Sequence, residues 1–376
     1  MMSEQCLAGV PFMMSVAAAE VGWWGQTLIT LMKKCPGPAR RIRPRGKNSM
    51  NEQKLRRAML LLGAAACAMT AGLAAGQDYP TKPIRLIAPY PPGGTSDILA
   101  RIAGQKLGEA WNARVVVDNR PGASGSLGTE IAAKATADGY TIVIGSVAPI
   151  VLNPLFYPKI AYQSLRDFTP VSLIGAAPQL VVVSPSVPAK SIKELIALAK
   201  SSKDGLTYGG SGIGTLPHLG GEMFRVITGA NMVHVSYKGT VLAILDLIGG
   251  RLDMVASDMP VALPHVKAGK LRALAVAGSK RFGLTPEIPT AIEAGLPGYV
   301  LDNWWGLLVM KGTPQAIVSK INAGLAQGLQ QAEVKERYTS LGLEVVLSSP
   351  QGFTDAIKSD SAKFSKLIKD AGIKIE

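Results

Sequence analysis

From Tyr79 onward the chain alternates short apolar, β-rich runs with stretches of helical period, and most junctions are clusters of Gly, Pro, Ser or Thr. Runs at 84–88, 114–118 and 141–145 read as strands, with helices over 98–107 and 128–135 between them. The pattern continues through strands at 180–183, 207–208, 232–235, 254–257, 271–276, 299–309 and 344–347. Helices are expected over 191–200, through 224–227, and over 241–249, 290–294, 315–331 and 353–371. Ser191 reads as the cap of an amphipathic helix carrying Leu195, Ile196 and Leu198. Such alternation predicts an α/β fold with mostly parallel sheets flanked by helices. About three hundred residues exceed one comfortable core, so two domains are expected.

The first 76 residues do not share this pattern. They hold all three cysteines (Cys6, Cys35 and Cys67), and ten of the 40 Lys and Arg against three of the 26 acids. Met50 opens a run with Lys54, Arg56 and Arg57, then an uncharged apolar stretch ending in Ala74-Ala75-Gly76. A basic start, a short apolar centre and a small-residue boundary make a secretory signal over 50–76, with the mature chain beginning at Gln77. Residues 1–49, with basic residues from Lys33 to Lys47, read as a start-site extension in preference to a nucleic-acid or lipid-binding arm. Residues 77–376 lack cysteine, which excludes disulfide scaffolding, Cys-metal sites and a Cys nucleophile there.

Three junctions are rich in glycine. Tyr90-Pro91-Pro92-Gly93-Gly94-Thr95-Ser96-Asp97 follows the first strand and opens a helix. Gly209 through Thr215 does the same ahead of His218, and Pro121 through Gly128 lies between another strand and helix. A glycine loop feeding a helix N-terminus holds an anion through free N–H groups and the helix dipole. The same turns also serve simply to connect strand to helix. Nucleotide loops are excluded. No GK[ST] is present, and Gly209–Gly214 does not space as G-x-G-x-x-G before a strand ending in an acid.

Catalytic groupings are sparse. His218, His234 and His265 form no H-x-x-x-H pair, so no metal site is expected, and no G-x-S-x-G elbow occurs. His218 either hydrogen-bonds a ligand or is a satisfied structural histidine. Asp258 ends a strand, where ligands of parallel sheets sit. It meets either a ligand's cationic group or an internal partner. Lys238 is a loop cation after a strand, facing either a ligand or solvent.

Several motifs together resemble the Bug family, the extracytoplasmic solute receptors of tripartite tricarboxylate transporters. They are Tyr79-Pro80-Thr81-Lys82-Pro83-Ile84 leading to Pro91–Asp97, Asp118 through Ala123, Asp167-Phe168-Thr169-Pro170-Val171, Tyr208 through Thr215 with His218-Leu219, Tyr237-Lys238-Gly239, the run 263–274, and Glu293 through Gly298. The similarity spans essentially all of 79–376. It implies a type II-like periplasmic-binding-protein fold of two domains closing on a carboxylate-bearing solute. One domain would comprise 77–176 plus 305–376, the other 177–304.

The resemblance further implies that Tyr90, Gly93, Gly94, Thr95, Ser96 and Asp97 contact the ligand from one domain. Ser211, Gly212, Gly214, Thr215 and His218 would do so from the other, with Tyr237, Lys238, Gly239 and Asp258 around the same cleft. Ser146, at a ligand-facing strand end, joins this set. The implied protein is periplasmic, monomeric and not an enzyme. It takes no cofactor or nucleic acid and delivers a small carboxylate to membrane transporter subunits. A receptor reporting to a membrane sensor, or an enzyme using the same cleft, are the alternatives. Two departures from the family pattern stand out: the apolar Val147-Ala148-Pro149-Ile150 after Ser146, and Met310-Lys311 before Gly312. The first predicts a carboxylate with an apolar or aromatic body.

Overall fold

The computed structural model describes residues 79–370 and 372–373. The expected extension over 1–49, the signal over 50–76 and the start at Gln77 lie outside the described residues.

Nine strands form the frame: β1 (Ile84–Ala88), β2 (Val115–Asn119), β3 (Thr141–Ser146), β4 (Phe168–Val183), β5 (Leu206–Gly210), β6 (Met232–Ser236), β7 (Met254–Asp258), β8 (Arg272–Val276) and β9 (Asp302–Met310). Among the described residues, nine helices of eight or more residues pack around them: α1 (Thr95–Trp111), α2 (Ser126–Ala133), α3 (Ile192–Ser201), α4 (Leu216–Thr228), α5 (Thr240–Ile248), α6 (Met259–Lys267), α7 (Gln315–Leu329), α8 (Ala332–Ser340) and α9 (Pro350–Asp370). The strand order is β2-β1-β3-β9-β4-β7-β5-β6, with β8 on β4.

Successive residues of a strand point to opposite faces, and here both faces are apolar. Leu86 joins one core cluster with Ile142, Ile144, Leu99 and Ile321, while its neighbour Ile87 joins another with Val143, Leu308 and Phe353. Strands buried on both sides need a helical layer on each side, as the alternation predicts. The protein has the two-domain periplasmic-binding-protein fold, with parallel pairs in each half: β1 with β2 and β3, and β5 with β6 and β7. Antiparallel pairing appears where β4 and β9 run between the halves, β9 on β3 and β4, and β4 on β7 and β8.

β4 is the main departure from the sequence expectation. It is one strand of 16 residues, not a short run at 180–183. Phe168 to Pro178 pairs with β9, and Gln179 to Val183 pairs with β7 and β8. Two prolines (Pro170 and Pro178) hide its continuity, because proline removes a ladder N–H and reads as a break. The helix expected over 290–294 is a turn, and the strand at 344–347 reduces to a single bridge between Ala176 and Glu344. The apolar 147–150 segment enters a buried π-helical turn, Ala148–Leu152. By contrast, α3 begins as read: Ser191 Oγ accepts from Glu194 N–H at 3.2 Å, and Glu194 accepts from Lys190 N–H at 2.7 Å. This is a near-relative of the capping box.

Candidate functional site

Three helices begin at one cleft, and none is capped by a side chain. α1 starts at Gly94 (φ −75°, ψ 163°), α5 at Gly239, and α4 at Thr215, whose hydroxyl turns back to donate to the Gly212 carbonyl at 2.7 Å. The first-turn N–H groups of a helix have no intrahelical acceptor. Those of Thr95, Ser96, Leu216, Thr240 and Val241 belong to residues that line the cleft. The space is about 570 Å³ when the open solvent at its mouth is counted. No Lys or Arg is among the described residues that line it. The positive potential is therefore supplied by backbone dipoles.

Of the residues implied by the family resemblance, Tyr90, Gly94, Thr95, Ser96, Ser146, Ser211, Thr215, Gly239 and Asp258 line this cleft. Gly93, Asp97, Gly212, Gly214, His218, Tyr237 and Lys238 do not. Asp97 is turned inward, accepting from Gly93 N–H, Arg101 and Asn119 at 3.0 Å each. Burial alone would raise its pKa, but these donors and the Arg101 charge hold it below the usual carboxylate range. Its role is to fix the loop ahead of α1.

His218 is likewise internal. Its Nδ1 accepts from Gly214 N–H at 3.4 Å, and its ring meets His234 edge-on at 4.6 Å. Burial, with His234 beside it, lowers its pKa to about 4. The Tyr237 hydroxyl donates to Asp246 at 2.7 Å, and Lys238 is exposed.

Asp258 is the one carboxyl group among the described lining residues. It caps α6 in sequence position, yet its carboxylate makes no cap bond. Instead Oδ1 accepts from Asn303 Nδ2 at 2.9 Å and from Gln179 Nε2. Burial pushes its pKa up, against the opposing pull of Asn303, Gln179 and the nearby Thr95 hydroxyl. Gln179 lies on β4 and Asn303 on β9, so both strands that run between the halves hold this one carboxylate.

The sequence reading missed Asn303, Trp305, Thr240, Val241, Leu242 and Val261, all of which line the cleft. A polar Asn303 entering an apolar strand was the one available signal. The others read as ordinary core. Ala148 lines the cleft but Val147 is fully buried behind it, its N–H toward Asn303 Oδ1 at 3.4 Å.

Among the described residues no group of His, Cys, Asp and Glu is placed to hold a metal. No described helix is long and apolar enough to cross a membrane. Residues 99–373 match the profile of the tripartite tricarboxylate transporter family receptor. BugT of Bordetella pertussis is 34% identical over 311 residues, covering 82% of this chain and 95% of its own. A protein from the tcbD-tcbE intergenic region of Pseudomonas sp. strain P51 is 35% identical, covering 82% and 93%. A solved R. palustris protein with adipate superposes with a TM-score of 0.77 at 36% identity, covering 79% and 99%. MatC of Rhodopseudomonas palustris with bound malate gives 0.74 at 28%, covering 77% and 100%. The uncapped helix ends around a cleft and a match spanning most of the described residues agree: the chain belongs to the Bug/TctC family of periplasmic solute-binding receptors.

Proposed function

We propose that this protein is exported to the periplasm, closes as a monomer on a small carboxylate-bearing solute, and delivers it to the membrane subunits of a tripartite transporter. The carrying observation is the convergence of three uncapped helix N-termini on a cleft lined by no Lys or Arg among the described residues. Such an arrangement binds a carboxylate through main-chain donors. The adipate and malate held by similar proteins support the same solute class. Residues 77–176 with 305–376 form one lobe and 177–304 the other, and closure bends β4 and β9 where they pass between lobes.

Calorimetry of the purified mature chain against mono-, di- and tricarboxylates tests the reading. Saturable binding to at least one carboxylate, with none to the matching amide, is expected. Equal binding of acid and amide overturns it.

A further inference from the structure

Asp258 is an odd residue for a site that attracts anions. Its Oδ1 is occupied by two amide donors, Asn303 Nδ2 and Gln179 Nε2. Neither of these amide bonds falls on its Oδ2. The Thr95 hydroxyl, on a residue 3% exposed and lining the same cleft, completes no hydrogen bond. Thr95 is also the first residue of α1, so its backbone N–H belongs to the anion-attracting end. A carboxylate oxygen outside those amide bonds and a free helix N–H thus meet around a single residue.

A plain dicarboxylate fits this poorly. Whichever end approaches an ionised Asp258 sets like charges together in a partly desolvated space, and no lining cation offsets them. A group that is anionic toward α1 and cationic toward Asp258 satisfies both. Ala148, Leu216, Val241, Leu242, Val261 and Trp305 give the wall an apolar part, beside the polar Tyr90, Ser146, Ser211 and Thr215.

Resting on the carboxylate-receptor reading, we propose that Asp258 selects solutes bearing an ammonium group close to the carboxylate, with an apolar remainder: amino acids with apolar side chains. The ammonium donates to Asp258 Oδ2 while the carboxylate takes the N–H groups opening α1. Burial by itself favours the neutral form of Asp258. A bound ammonium acts in the opposite sense and stabilises the ionised form.

The test compares acids that differ only in the amine: phenylalanine against 3-phenylpropanoate, leucine against 4-methylpentanoate, and glutamate against glutarate, by calorimetry on the mature chain. The amine-bearing member of an apolar pair is expected to bind at least about tenfold more tightly, as a charge-assisted hydrogen bond implies. Asp258→Asn keeps the shape and an acceptor for both amide donors, and should erase that difference while the melting temperature confirms folding. The wild-type comparison requires no variant, so a misfolded Asp258→Asn does not shield the proposal. Tighter binding of the amine-free acids, or an amine advantage that survives Asp258→Asn, overturns the role of Asp258 and leaves the carboxylate reading intact. If the wild type binds no carboxylate at all, both fall.

Discussion

The side-chain hydroxyl of Ser124 donates a 2.6 Å hydrogen bond to the carbonyl oxygen of Ile213. Ser124 lies in the loop after β2 and Ile213 in the loop after β5, so the bond ties the third glycine-rich loop to the second. Tyr157 donates to the same carbonyl at 3.2 Å. Ser124 adopts a left-handed conformation (φ 56°, ψ 33°), and its own carbonyl accepts from Tyr90 and Asn153 at 3.0 Å each. Gly212 has φ +112°, and a Cβ there would stand 2.4 Å from Ser124 Oγ. The third loop is thus fastened to the second.

This bond should slow ligand escape. Ser124→Ala and Tyr157→Phe each remove one hydrogen bond, contributing about 0.5–1.5 kcal/mol. Stopped-flow measurement is expected to show roughly two- to tenfold faster dissociation with association little changed. Slower association at constant dissociation would show that the contact forms before capture.

Affinity should depend on main-chain donors more than on the nearby loop cation. Gly94 is extended, a conformation compatible with a following proline, and Thr95 is the first helical residue, so Thr95→Pro should fold. Loss of its N–H is expected to weaken binding about ten- to a hundredfold. Thr95→Val separates the hydroxyl from the amide. Lys238→Ala should change affinity by less than about fivefold, because Lys238 is exposed and does not line the cleft. A larger loss in Lys238→Ala than in Thr95→Pro means that a salt bridge holds the ligand.

Stability should fall in mild acid through His218. Its folded pKa, about 4, lies below the unfolded value of about 6.5, so the unfolded chain binds more protons between these values. The neutral histidine's contribution is complete above about pH 6.5 and is lost progressively toward pH 4. The shift corresponds to about 3 kcal/mol at most. Protonation also removes the acceptor for Gly214 N–H at the second loop. Melting temperatures of wild type and His218→Gln across pH 4–7 check this. The wild type should show the steeper dependence, and parallel curves would exclude His218 as the source.

Gly221→Ala should destabilise strongly. A Cβ at this position in α4 would lie 2.0 Å from the Tyr208 ring, which is fully buried and donates to Glu222 at 2.7 Å. Overpacking of this kind costs about 1–3 kcal/mol or more. Urea denaturation is expected to show a reduced midpoint, and an unchanged midpoint would mean that the helix shifts freely away from β5.

The α/β layering follows from local sequence, because strands apolar on both faces, such as Ile84–Ala88, must be covered twice by helices. Local sequence also located two of the helix starts at the cleft, since Gly94-Thr95 and Thr215-Leu216 are local chain features read from the turn residues themselves. The tertiary structure alone decided which residues reach the cleft. Asp97 and His218 look equivalent to Thr95 and Thr215 along the chain, yet they turn inward to Arg101 and to Gly214. Asn303 reaches the cleft, and Gln179 reaches its Asp258 wall, only because β4 and β9 carry them beside it. Contacts between residues far apart in sequence depend on how strands cross and pair. Local propensity and periodicity report the strand, but not its neighbour or what its one polar side chain will meet.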